Sequence, residues 1–98
     1  MIPTSLSSTD LDPRRRRALF RARHRGIREM DVLLGRFCDA HLASLSDEEV
    51  GELEGLLEAP DQDVFSWLTG AALAPERYDL PVFRKLAEFH RHAGPLDL

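Results

Sequence analysis

Ile27-Arg28-Glu29-Met30-Asp31-Val32-Leu33-Leu34-Gly35-Arg36-Phe37-Cys38-Asp39-Ala40-His41-Leu42-Ala43-Ser44-Leu45 is the stretch that decides the fold class. From Ile27 onward, Met30, Leu33, Leu34, Phe37, Cys38, His41 and Leu45 recur at intervals of three and four, the spacing of one helical face and not the alternation of a strand. This predicts a long central helix to about Leu45, with an apolar stripe that other elements must cover.

Upstream, Asp12-Pro13 starts a helix: an aspartate at the N-cap, and a proline whose missing N–H costs nothing at the first helical position. The helix is predicted over 13–24, with Leu19, Phe20 and Ala22 or Arg23 inward, and Arg25-Gly26 breaks it. Gly26 is expected to take the left-handed conformation there. Downstream, Ser46-Asp47-Glu48-Glu49 is a capping box that opens a third helix burying Val50, Leu53, Leu56 and Leu57, and Pro60 ends it. Asp61 or Gln62 begins a short fourth helix with Val64 or Phe65, Trp67 and Leu68 inward, closed by Gly70. After a loop over 71–78, Asp79-Leu80-Pro81 starts a fifth helix with Val82, Phe83, Leu86, Phe89 and His90 inward, and Gly94-Pro95 is its stop signal. Gly51 and Gly55, one turn apart, either make a smooth strip for close helix contact or lie on an exposed face. The chain therefore reads as all-α: a compact five-helix bundle over 13–94 in a single domain, with a flexible segment over 1–12 and a tail over 95–98.

The chain has 98 residues, so folding buries only somewhat more than ~60% of its unfolded surface, and most of the seven aromatics should enter the core. An enclosed cofactor cavity is then improbable, and a surface-binding role gains at its expense. No run approaches the ~18 apolar residues of a membrane span, and the opening nine residues lack the basic and apolar regions of a secretory signal. A soluble protein of a reducing compartment is expected, since the single cysteine can form no internal disulfide. A bacterial cytoplasm is favoured over a mitochondrial matrix, because ~12 non-basic residues make a poor transit peptide.

The net charge of −4 hides a polarised molecule. Residues 1–45 hold nine Arg against five acids, and 46–98 hold four basic residues against twelve acids. Eight of the arginines fall between Arg14 and Arg28. Arginine suits planar, bidentate contact with carboxylate or phosphate, which points to an anionic partner; the alternative is a solvated face that pairs internally with the acidic half. A nucleic-acid-binding module would explain the arginines, but a pI near 5.5 and the absence of interleaved aromatics count against it.

Cys38 and His41 share a helical face, yet both lie in the apolar stripe, where an inert thiol and a core histidine are the usual outcome. Glu88 and His92 are four apart, but two ligands do not make a metal site, and Asp61-Gln62-Asp63 lacks the glycine and the glutamate of a calcium loop. No catalytic, cofactor or metal residue is assigned. The remaining constellation is Arg25-Gly26-Ile27-Arg28-Glu29-Met30-Asp31 at the break between two helices. Glycine for the turn and acids in a helix's first turn explain part of it. Two arginines beside a bare backbone position and a carboxylate, on one exposed corner, could in addition admit a partner's backbone and read its charges.

Arg25-Gly26-x-x-Glu29 after an arginine-rich helix resembles the succinate dehydrogenase flavinylation factor family, the small bacterial and mitochondrial assembly factors of that enzyme. Asp31, Leu33, Leu34, Phe37, Leu45-Ser46-Asp47-Glu48-Glu49, Leu56-Leu57-Glu58, Asp61-x-Asp63 and Trp67 followed by Gly70 are similar to the family's pattern, in its order. The resemblance covers about residues 14–70. It departs at Val64, where leucine is usual, and matches no motif after Tyr78. It implies a five-helix protein, not itself an enzyme, that transiently binds the flavoprotein subunit of succinate dehydrogenase, often also that of fumarate reductase. The factor promotes covalent attachment of FAD to a histidine of that subunit and keeps no flavin of its own. On this reading the partner-binding residues are Arg25, Gly26, Arg28, Glu29 and Asp31, extended by Arg14, Arg15, Arg16 and Arg17. The free protein is expected to be a monomer that neither binds nucleic acid nor inserts in a membrane.

Overall fold

Asp12 begins the bundle: its carboxylate accepts the Arg15 N–H at 2.8 Å, and Pro13 occupies the first helical position. The computed structural model describes residues 11–93. Helix α1 is Pro13–Arg23, α2 is Arg28–His41, α3 is Asp47–Glu58, α4 is Asp61–Thr69 and α5 is Pro81–Ala93; single 3₁₀ turns lie at Leu42–Ser44 and Glu76–Tyr78. No strand occurs among the described residues. The expected capping box is present: Ser46 Oγ accepts the Glu49 N–H at 3.1 Å, and Glu49 accepts the Ser46 N–H at 3.0 Å. Gly70 ends α4 in the left-handed region at φ 84°.

Helix α2 lies at the centre, with Met30, Leu33, Phe37 and Cys38 fully buried. Helix α1 covers it with Ala18, Leu19 and Ala22 and also packs on α3; α5 crosses α2, α3 and α4 with Val82, Phe83 and Leu86. Each fully buried large side chain here contributes roughly 1.5–3 kcal/mol. Because α4 sits at the foot of the bundle, its first turn comes beneath the α1–α2 corner.

Several expectations need correction. The central helix stops at His41, and Leu42–Ser44 tightens into a 3₁₀ turn. Apolar spacing alone does not separate those two windings. Leu11 is buried and Asp12 caps α1, whereas the expected segment over 1–10, Gly94-Pro95 and the tail over 95–98 lie outside the described residues. Gly26 has no positive φ, and Gly70 alone does among the described residues. Phe20 points outward at 63% exposure, while Phe65, Trp67, Tyr78 and Phe89 are only partly buried against the core. Aliphatic residues therefore fill most of the interior. Gly51 and Gly55 border one pocket and are not a close helix contact: a Cβ on Gly51 would meet only the Arg14 guanidinium at 3.3 Å, and one on Gly55 nothing within 4 Å.

Candidate functional site

The α1–α2 corner consists of four residues between two helix ends, so its backbone donors need partners from outside. Two aspartates supply them. Asp31, in the first turn of α2, reaches back and accepts the Arg25 N–H. Asp61, the first residue of α4, accepts the Gly26 N–H at 3.2 Å through one oxygen and the Arg25 guanidinium at 2.7–2.8 Å through the other. The Arg25 and Asp61 side chains are only 14% and 12% exposed. A charged pair so far from water holds its geometry far better than an exposed one. Arg25, Asp31 and Asp61 thus form a clamp that fixes the corner against α4.

What the clamp leaves outward is narrower than the sequence suggested. Gly26 is exposed, and a Cβ placed on it would meet nothing within 4 Å. Arg28 is exposed and Glu29 half-exposed, and their side chains make no hydrogen bond or ion pair among the described residues. No side chain caps the N-terminus of α2 beside them. Gly26, Arg28 and Glu29 therefore present one open backbone position with a cation and an anion beside it. Arg25 and Asp31 turn inward and support this arrangement.

The Arg14–Arg17 run splits in the same way. Arg14 holds Glu54 at 2.8–3.1 Å, which raises its own pKa and lowers that of Glu54, burial opposing both shifts. Arg15, 13% exposed, donates to the carbonyls of Leu42 and Leu45 and pairs with Asp12 and Asp47, so it closes the end of the central helix. Arg16 donates to the Leu11 carbonyl at 3.0 Å and otherwise faces solvent. Arg17 is exposed and makes no hydrogen bond or ion pair. Pairing with the acidic half accordingly accounts for Arg14, Arg15, Arg21 and Arg25, and Arg23 pairs with Asp39 of its own half, leaving Arg16, Arg17 and Arg28 outward.

Other chemistry-bearing residues have partners within the fold. Cys38 is buried, and desolvation pushes its thiol up to about 12. His41 packs its ring between Phe37 and Phe89. His92 and Arg91 both hold Glu88. Among the described residues no three metal-ligating side chains converge, and no helix is long and apolar enough to cross a membrane.

Asp61 is the participant that sequence reading missed. Its place at the start of α4 identifies it as a helix-terminus carboxylate; nothing local shows that its partner lies 36 residues upstream.

Residues 16–90, which include the corner, the clamp and most of the bundle, match the family described as the flavinator of succinate dehydrogenase. The chain belongs to this family. It is 38% identical over 88 residues to the FAD assembly factor SdhE of Acetobacter pasteurianus, covering 90% of this chain and 81% of that one. It is similar also to mitochondrial succinate dehydrogenase assembly factor 2 of Yarrowia lipolytica, at 37% over 90 residues, and of Dictyostelium discoideum, at 31% over 88 residues. The chain spans 62% of the length of each of these two mitochondrial relatives. For a flavinator the clamp divides the motif: in Arg25-Gly26-x-x-Glu29, Arg25 is an internal support, and Gly26 and Glu29 face out.

Proposed function

We propose that this chain binds the flavoprotein subunit of succinate dehydrogenase, and of fumarate reductase where present, and promotes covalent attachment of FAD to it. It does so without being the catalyst. One observation carries this reading: the corner is held rigid by groups that face inward, while the open side of Gly26 and the side chains of Arg28 and Glu29 meet no partner within the chain. A rigid corner with an unobstructed backbone and two unsatisfied charges is preorganised for a protein surface, so little ordering entropy is lost on docking.

The bond-forming step belongs to the client, whose histidine and flavin must be held in near-attack geometry. The flavin supplies the electrophilic carbon. The helper contributes by favouring that client conformation, with a gain limited to its differential affinity for it. Gly26 admits the client's backbone, Glu29 and Arg28 pair with its charges, and Arg25, Asp31 and Asp61 keep them in register. The contact is transient, the free protein is a monomer without flavin of its own, and its place is the bacterial cytoplasm.

The test is in-gel flavin fluorescence of the client flavoprotein in cells carrying Glu29→Gln, beside a melting curve of the purified variant. As a mere helix-terminus carboxylate Glu29 contributes under ~1 kcal/mol, and its loss would leave flavinylation intact. The expected result is an almost unchanged melting curve with sharply reduced covalent flavin. Full flavinylation would remove Glu29 from the site, and flavinylation independent of the whole protein would overturn the function.

A further inference from the structure

The outward face of α1 carries a feature that the corner does not use. Pro13, Arg16, Arg17, Phe20 and Arg21 line a shallow groove of about 520 Å³, all on the helix face opposite Ala18, Leu19 and Ala22. Phe20 stands in its floor at 63% exposure, with the His24 ring stacked on it at 4.0 Å between centroids and 19° between planes. A single exposed apolar side chain needs no explanation. This one is different in its setting: a second ring stiffens it, arginines surround it, and His24 leads directly into Arg25-Gly26. A rigid aromatic ringed by guanidinium groups is the composition of an interface anchor.

The charges around the ring choose the partner. Arg17 is unpaired and Arg16 bonds only to a carbonyl, so both keep donors for a carboxylate. Arg21 is already held by Glu58 at 2.6 Å, and Arg14 beyond it by Glu54 at 2.8 Å, so on that edge the cations are neutralised. A phosphate array, whether nucleic acid or anionic lipid, needs a continuous cationic track, and here only Arg16 and Arg17 have no carboxylate partner. A protein segment offering one or two carboxylates beside an apolar side chain matches the pattern. Resting on the function proposed above, we propose that Phe20, flanked by Arg16 and Arg17, is a second anchor for the client flavoprotein, and takes an acidic segment of it with an apolar residue at its centre.

The experiment measures binding of purified wild-type, Phe20→Ser, Phe20→Tyr and Arg17→Glu proteins to the purified, FAD-loaded flavoprotein subunit. Phe20→Ser should weaken binding at least tenfold, about 1.4 kcal/mol, with an unchanged melting temperature. Phe20→Tyr should restore most of the affinity, and Arg17→Glu should slow association at low salt far more than at high salt. Binding by Phe20→Ser equal to wild type would overturn the second anchor. Co-sedimentation with phosphatidylglycerol vesicles, or retention of single-stranded DNA, would overturn it in favour of those occupants if Phe20→Ser abolished it. Failure of the wild-type protein itself to bind the flavoprotein subunit would overturn the function on which the anchor rests; loss through Phe20 alone leaves that function standing.

Discussion

Arg15 and Arg17 are two residues apart on one helix, and they do opposite work. Arg15 is almost covered and ties the end of α2 to the start of α1, while Arg17 reaches into solvent with nothing to hold. The same contrast recurs at the corner, where Arg25 is clamped by Asp61 and Arg28 is open. An arginine's role in this molecule is decided by what the fold brings opposite it. Carbonyls at the end of a helix and a carboxylate at the start of another convert some of the cations into framework, and the remainder stay exposed to solvent.

The largest expected effect on that contrast is at Arg15. Arg15→Ala leaves the Leu42 and Leu45 carbonyls without their donor and should cost about 2–3 kcal/mol, lowering the melting temperature by ~10 °C or more. Arg17→Ala should stay within ~0.5 kcal/mol of wild type. Equal melting of the two variants would erase the distinction.

Asp61→Asn comes next. It removes the charge opposite Arg25 and should cost about 1.5–2 kcal/mol, while flavinylation falls because Gly26 and Glu29 lose their fixed placement. A double-mutant cycle with Arg25→Met should show a coupling of ~1 kcal/mol or more; additive effects would mean that the clamp does not act as a unit.

Two glycines separate conformational from spatial need. Gly70→Ala should cost about 1 kcal/mol because its φ of 84° strains any Cβ. Gly26→Ala should leave the melting curve nearly in place, having neither positive φ nor a neighbour to strike, whereas Gly26→Arg should block the client without unfolding the protein.

The smallest effect sharpens the picture of Arg14. Its hydrogen bond holds the Glu54 carboxyl below the ordinary value of 4.5, and Lys85 with the Ser46 N–H does the same for Glu49. A folded pKa below the unfolded one stabilises above the unfolded value and loses that contribution as pH falls through the folded one. Stability should therefore be flat near neutrality and decline below about pH 4.5. In Glu54→Gln a melting series over acid pH should decline less steeply.

Much of this was legible in the chain because it depends on neighbours in sequence. Asp12-Pro13, the Ser46–Glu49 box and Gly70 act over one helical turn, and each did what its local chemistry requires. The buried faces of α2 and α3 followed from apolar spacing, since Met30, Leu33, Phe37, Val50 and Leu53 repeat at the helical period. The motif at Arg25-Gly26-x-x-Glu29 was equally visible as a pattern. Phe20, expected inward, lies outward, because the apolar stripe of α1 is only Ala18, Leu19 and Ala22, too short to fix which face an adjacent aromatic joins.

The sequence by itself determined the five helices and most of their starts, because propensity, capping and amphipathic period are properties of short segments. Which arginine became framework and which remained surface was decided only by tertiary structure. Asp61 lies 36 residues from Arg25, and the Leu42 and Leu45 carbonyls lie 27 and 30 residues from Arg15. A charge pair over such a separation exists only once the helices have packed, since in the open chain water satisfies both partners equally well.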